Sequence, residues 1–286
     1  MAANLLLQRI SEHRVNLTPK AGLIGDYIIN NPRKVIFMTI KELSRASGTS
    51  EATVIRFVNQ LGYGGYSDFL QELRDIIDTE LTLPDRVDLA YTDGPETERL
   101  SRVVNSEVDN LRQLYDNLDM ETFNRAVDLL HTSRAIYVAG SRLSYTFAYY
   151  LGWSLTKIRT DIHVLKGSDS TSIDWLTIAP QNCLVVIFAT TRYPNELIRL
   201  GKLVKRLEHT LLVITDGSAC PLIQFADLSI IAPSRHIPLI GSPTTLSCLI
   251  NFFMAELVSR YSGDLKHHQE KLEKVYLEND VLFNLR

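Results

Sequence analysis

The sequence predicts a two-domain chain of α plus α/β class. An all-helical N-terminal bundle precedes a doubly wound α/β domain built on a five-stranded parallel sheet. Three observations predict it. The first eighty residues read as short capped helices with no strand pattern. Beyond Arg134, short β-branched runs alternate with helical patterns, the texture of parallel strands joined by crossover helices. Between the two textures, periodicity fades from Leu81 to Pro95, where Pro84, Gly94 and Pro95 punctuate a linker.

The helical signals are local. Thr18 before Pro19 is an N-cap with proline at the first helical position, and it opens a helix whose apolar face holds Leu23, Ile24, Tyr27 and Ile28 until Asn31 and Pro32 stop it. Thr39 and Glu42 form a capping box for a helix from Ile40 to about Ser47, followed by a turn at Gly48 and Thr49. Ser50 caps the next helix, Glu51 to Leu61, with Val54, Phe57, Val58 and Leu61 at helical spacing and Gly62 as the stop. Ser67 opens another helix toward Glu80. After the linker, Leu100, Val103, Val104, Leu111, Leu114, Tyr115 and Leu118 make one apolar stripe, and Asp119 caps a helix through Leu130.

The expected strands are Ala135 to Ala139, Ile162 to Leu165, Leu184 to Ala189, Leu211 to Thr215 and Leu228 to Ile231. Helices near Leu143 to Ile158, Ser172 to Ile178, Asn195 to Leu207 and Leu222 to Phe225 would cover both faces. A helix from Thr244 to Arg260 and a charged helical tail from Asp264 to Asn284 close the chain. The expected boundaries are therefore 1–80 for the helical domain, 81–95 for the linker, 96–124 for connecting helices, 125–265 for the α/β domain and 266–286 for the tail.

Composition narrows the function classes. With 45% hydrophobic and 22% charged residues, the chain has the profile of a globular protein. It shows no signal-peptide pattern and no apolar run long enough for a membrane span, so a cytoplasmic location without a membrane partner is expected. Cys183, Cys220 and Cys248 are widely spaced and odd in number, which favours reduced thiols over a disulfide; no metal site and no cofactor are expected. A net charge of −3 argues against non-specific coating of nucleic acid. Up to Tyr66, however, eight basic residues stand against four acids, an excess that permits phosphate contact.

Two constellations carry chemistry. The helix, tight turn and helix from Thr39 to Leu61 would lay the second helix in a DNA major groove. Ser50, Glu51, Thr53 and Arg56 are expected on or near its outward face, where hydroxyls meet phosphates or base edges and arginine grips guanine or phosphate. In the α/β half, the first strand ends in VAGSRLS and the third in FATTRYPNE. Gly140, Ser141, Arg142 and Ser144 then share one sheet edge with Thr190, Thr191, Arg192, Tyr193 and Glu196, the place where open α/β sheets collect ligands. Asp216 in ITDGSAC reads as half of a turn-forming Asp-Gly pair. Ser242 and Thr244 in GSPTTLS are expected near the ligand or a dimer contact.

The run ELSRASGTSEATVIRFVNQLGYGGYSDF resembles the N-terminal domain of the RpiR/MurR family of bacterial transcriptional regulators. That resemblance implies a DNA-contacting set of Lys41, Thr49, Ser50, Glu51, Thr53, Arg56, Gln60, Tyr63 and Tyr66, with Gly64 standing where many relatives have lysine. It also implies that the α/β half is a sugar-isomerase (SIS) domain. The two strand-end loops resemble the SIS motifs GxGxS and SxSGxTxE: Gly140, Ser144, Thr191 and Glu196 match or nearly match. Arg142 and Arg192 replace glycines, Ala189 a serine and Pro194 a threonine. The implied partners are double-stranded operator DNA and a small phosphosugar or sugar-acid effector. A homodimer or dimer of dimers would place two recognition helices on a palindrome.

SIS domains also serve sugar-phosphate isomerases, which need a positioned base. His163 and His209 at strand entrances, His236 in a loop and His267 and His268 in the tail read as solvated or structural, and no catalytic residue is assigned. Glu196 is the one acid expected at the crevice. The reading is a non-enzymatic regulator, with the isomerase as its alternative.

Overall fold

A computed structural model describes Leu6, Ile10 and residues 18–36, 38–77, 82–88, 95–234 and 241–283. Two compact units divide the chain, the first running to Val103 and the second made of most of the chain from Val104.

The first unit is helical among its described residues. It contains α1 (Pro19–Asn30), α2 (Pro32–Val35), α3 (Ile40–Ala46), α4 (Glu51–Gln60), α5 (Tyr66–Ile77), α6 (Leu83–Asp88) and the start of α7 (Glu96–Asn117). The caps are those the sequence marks. Thr18 accepts from the Ala21 N–H, and Thr39 and Glu42 form a reciprocal capping box at 2.7 and 3.2 Å. Pro32 stops α1 and at once begins the short α2, since proline suits a first helical turn. The core gathers Ile24 and Ile28, Leu43, Val54, Phe57 and Val58, and Phe69, Leu70 and Leu73, with Phe57 edge-on to Phe69 at 6.5 Å. The stretch expected as a linker carries α6; Leu81 and residues 89–94 of it lie outside the described residues.

In the second unit α8 (Met120–Thr132) leads into a sheet of order β2-β1-β3-β4-β5, parallel throughout. The strands are β1 (Ile136–Gly140), β2 (Ile162–Lys166), β3 (Leu184–Ala189), β4 (Thr210–Thr215) and β5 (Leu228–Ile231). Val138 sits beside Val164 on one side and Val186 on the other. Alternate residues feed two cores. Ile136, Val138, Val186, Phe188 and Leu212 pack with α8, α9 (Ser144–Leu155) and the first half of α12 (Thr244–Glu278). Tyr137, Ala139, Val185, Ile187 and Val213 pack against Leu176 of α10 (Ser170–Thr177) and Leu197, Leu200 and Val204 of α11 (Asn195–Arg206). Burial on both faces is why β1 and β3 read as unbroken apolar runs.

Three expectations change. The segment near Leu222 is a 3₁₀ turn, Ile223–Phe225. The last helix and the tail are one element, α12, broken only by Tyr261 at φ −124° and ψ 19°. Tyr261 stacks on His131 and donates to Asp128 at that point. The α7 stripe is largely open: Leu114 is buried, but Leu100, Val103 and Val104 are exposed and Tyr115 is 87% exposed. Periodicity marks which side of a helix is apolar; it does not supply the surface that covers it. A device the sequence hides is Arg159, whose guanidinium donates to the carbonyls of Leu130, His131 and Ser133 and so closes the C-terminal end of α8. Burial lowers its pKa from the usual guanidinium range.

Candidate functional site

The α3–turn–α4 segment is the first candidate. Gly48 turns the chain at φ 66°, a left-handed conformation that costs a side-chain-bearing residue roughly 1–2 kcal/mol. The Thr49 N–H closes the turn on Ser44 O at 2.8 Å, and the Ser47 and Thr49 hydroxyls meet at 2.9 Å. Ser50 then caps α4 through the Thr53 N–H. Val54, Phe57 and Val58 are buried, leaving Glu51, Ala52, Ile55, Arg56, Asn59 and Gln60 exposed along the opposite side. Arg56 is exposed, and its Nε donates to Ala52 O at 3.2 Å.

The structure separates the expected DNA-contacting residues. Lys41, Ser50, Glu51, Arg56 and Gln60 are exposed. Thr53 is not on the outward face: it is buried one turn before Phe57, and its hydroxyl pairs with that of Ser50 at 2.8 Å. Thr49 is half-buried in the turn. Tyr63 packs edge-on against Phe69 at 5.3 Å, and the Tyr66 hydroxyl donates to Met38 O at 3.0 Å, so both rings brace the bundle. Ala52, Ile55 and Asn59 are the exposed positions that sequence reasoning missed. Their spacing of three and four residues, opposite the buried stripe, was the available signal. Ile55, 44% exposed, offers an apolar surface of the kind that meets a thymine methyl.

The second candidate lies at the carboxyl ends of β1 and β3, the point where strand order reverses. Gly140 is required there, because a β-carbon on it would come within 2.4 Å of Ser144 O in the first turn of α9. The two loops are stapled together. The hydroxyls of Ser144 and Thr190 meet at 3.0 Å, and the Thr190 N–H donates to Ser144 Oγ at 3.3 Å. Asp216, buried at the end of β4, accepts from the Thr191 N–H at 2.8 Å, the Thr191 hydroxyl at 2.5 Å and the Tyr193 hydroxyl at 3.3 Å. The Asp-Gly pair is therefore more than a turn; its carboxylate organises the neighbouring loop.

Ser144, Thr190, Thr191 and Tyr193, all expected to face a ligand, thus direct hydroxyls at one another or at Asp216. What the crevice leaves unengaged is charged. Among the described residues Arg142, Arg192 and Glu196 have no hydrogen-bond or ion-pair partner, and the buried Ser141 Oγ has none either. Glu196 places Oε2 beside Gly167, 2.8 Å from where a β-carbon there would stand, so the β2 turn also borders the crevice. Neither α9 nor α11 has a side-chain cap at its N-terminus. Uncapped helix N-termini and guanidinium groups attract anions.

The remaining candidates resolve as structural. Ser242 accepts from the Thr244 N–H and donates to Glu107, and its own N–H bonds Ser234 Oγ at 2.7 Å. His163 stacks on Tyr137, His209 bonds Leu176 O and His268 bonds Thr156 O. His267 is exposed, and His236 lies outside the described residues. Among the described residues no group of three or more His, Cys, Asp or Glu is gathered as for a metal, and no helix is long and apolar enough to cross a membrane.

A helix-turn-helix unit joined to a switch-point α/β domain defines the class: a helical reader carried with a SIS-type domain. Residues 4–80 match the helix-turn-helix domain of the rpiR family and residues 129–258 match the SIS domain, and the chain belongs to that family. It is 31% identical over 139 residues to the bifunctional protein glk of Paraburkholderia xenovorans, covering 49% of this chain and only 22% of the longer relative. The chain thus spans about a fifth of that relative. An uncharacterized HTH-type transcriptional regulator of Clostridium perfringens is 22% identical over 223 residues, 78% of this chain and 79% of that one. The Vibrio vulnificus NanR protein complexed with ManNAc-6P shares the fold at TM-score 0.59 and 24% identity, covering 98% of this chain and 100% of NanR.

Proposed function

We propose that this protein is a DNA-binding transcriptional regulator. It reads double-stranded operator DNA with α4, and its SIS domain senses a small phosphorylated or acidic sugar that modulates operator binding. The observation that carries the reading is the coexistence in one chain of an α4 whose exposed side presents Glu51, Arg56, Asn59 and Gln60 with a switch-point crevice whose unengaged charged groups are two arginines and one carboxylate. The ManNAc-6P named for the V. vulnificus relative supports the ligand class.

In this proposal residues 1–80 are the reader and 125–265 the sensor, working in the cytoplasm where DNA is met. The exposed Leu100, Val104 and Val108 of α7, spaced four residues apart, give a second copy an apolar surface to cover, in keeping with a homodimer on a two-fold operator. The protein is read as a non-enzyme because, among the described residues, the crevice offers one unengaged carboxylate, Glu196, and no imidazole; Asp216 is committed to Thr191 and Tyr193. In a sensor, Glu196 accepts hydroxyl groups of the ligand.

Fluorescence anisotropy of the full chain with fragments of its own upstream DNA tests the reader. Specific binding should weaken with rising salt, and Arg56→Ala should lower affinity by about tenfold with little change in melting temperature. Failure to bind at low salt, or an Arg56→Ala variant as tight as the parent, would sink it. Turnover of a phosphosugar by the purified chain would favour the isomerase instead.

A further inference from the structure

Two arginines stand at one edge of the sheet in a backbone conformation that suits them poorly. Arg142, two residues past β1, has φ 53°, and Arg192, three residues past β3, has φ 68°. β1 and β3 are neighbours in the sheet, and the Ser144–Thr190 bonds tie their loops together. Both arginines are exposed, and neither has a partner among the described residues. Asp161, Asn182, Glu208 and Asp280 share such φ values, but of the described non-glycine residues in this conformation only the two arginines stand at the carboxyl ends of strands, where glycine or asparagine would serve a turn alone. Strain of this kind gathers where a side chain is held for binding.

Each arginine also precedes its own uncapped helix N-terminus, Arg142 that of α9 and Arg192 that of α11. Each loop therefore contains the parts of an anion site, a guanidinium and a helix start, and there are two such loops. Glu196 follows Arg192 by four residues and sets its carboxylate beside Gly167 of the β2 turn, the next loop along the same sheet edge. The hydroxyls of Ser144, Thr190, Thr191 and Tyr193 are turned inward, so charge recognition dominates.

We infer that the crevice is built for a doubly anionic sugar derivative: a polyhydroxylated carbon chain bearing a phosphate and a second acid, either another phosphate or a carboxylate. Arg142 holds one acid, Arg192 holds the other, and Glu196 accepts hydroxyls from the carbons between. This rests on the sensor reading above and specifies its ligand class.

Calorimetric titration of the full chain with glucose 6-phosphate, fructose 1,6-bisphosphate and 6-phosphogluconate tests it, with melting temperatures measured in parallel. One of the two-acid probes should bind at least about tenfold tighter than glucose 6-phosphate, and which one identifies the second acid. Arg142→Gly and Arg192→Gly should each weaken that probe roughly tenfold or more, whereas only one of them should weaken glucose 6-phosphate comparably. Neither variant should melt lower than the parent, because glycine accepts these φ values without strain. Equal affinity for the one-acid and two-acid probes, or unaltered binding by both variants, would overturn the inference and leave the sensor reading standing. Binding of none of the three would remove both.

Discussion

The reader helix and the strand-end crevice use the same residue types, serines, threonines, tyrosines and arginines, to different ends. On α4 the exposed residues follow from the helix itself: once Val54, Phe57 and Val58 are buried, Arg56, Asn59 and Gln60 must face outward. In the crevice the polar residues come from three strand ends and answer one another. Ser144 meets Thr190 across 46 positions of sequence, and Thr191 meets Asp216 across 25. A polar residue on a helix keeps its side chain available unless local packing claims it, as it claims Thr53. A polar residue in a crevice is available only after its neighbours have been satisfied, and there the arginines remain.

That contrast can be broken most forcefully by removing the reader's core. Phe57→Ala should cost about 3–5 kcal/mol, the range for deleting a fully buried phenylalanine, and abolish DNA binding. If the units behave separately, thermal stabilisation of the second unit by a bound ligand should survive the same substitution; loss of both would show that they fold together.

Asp216→Ala addresses the crevice with a smaller effect. It leaves the Thr191 N–H and two hydroxyls without their acceptor, a loss of roughly 1–3 kcal/mol for each group that stays dry. Ligand binding should fall while DNA affinity of the unliganded protein holds. Asp216→Asn, which keeps one oxygen as acceptor, should lie between the parent and Ala. An Asp216→Ala variant that bound ligand normally would show that the β3 loop holds its shape without this carboxylate.

The smallest effect concerns the thiols. Burial pushes Cys183 up to about 11 and also raises Cys220, so neither forms much thiolate at pH 8, whereas Cys248 is exposed. Alkylation of the native protein at pH 8, followed by mass spectrometry, should label Cys248 first and reach the other two only after denaturation. Labelling of Cys183 at a similar rate would mean that the sheet opens locally near β3.

Features that are local or periodic can be read from the amino-acid order. Caps at Thr18, Thr39, Ser50 and Asp119 act over two or three residues, and each is found where the pattern places it. The strands are legible because burial on both faces demands continuous apolar runs, and β3 and β5 keep their expected bounds. Which polar groups stay free was settled by packing between distant parts of the chain. It buried Thr53, turned Tyr66 toward Met38, made Asp216 the anchor of a neighbouring loop and left Arg142 and Arg192 unpaired in left-handed backbone. Periodicity is a property of a helix or a strand, but the satisfaction of a hydrogen-bonding group depends on every element that reaches it, and no window of sequence contains them all.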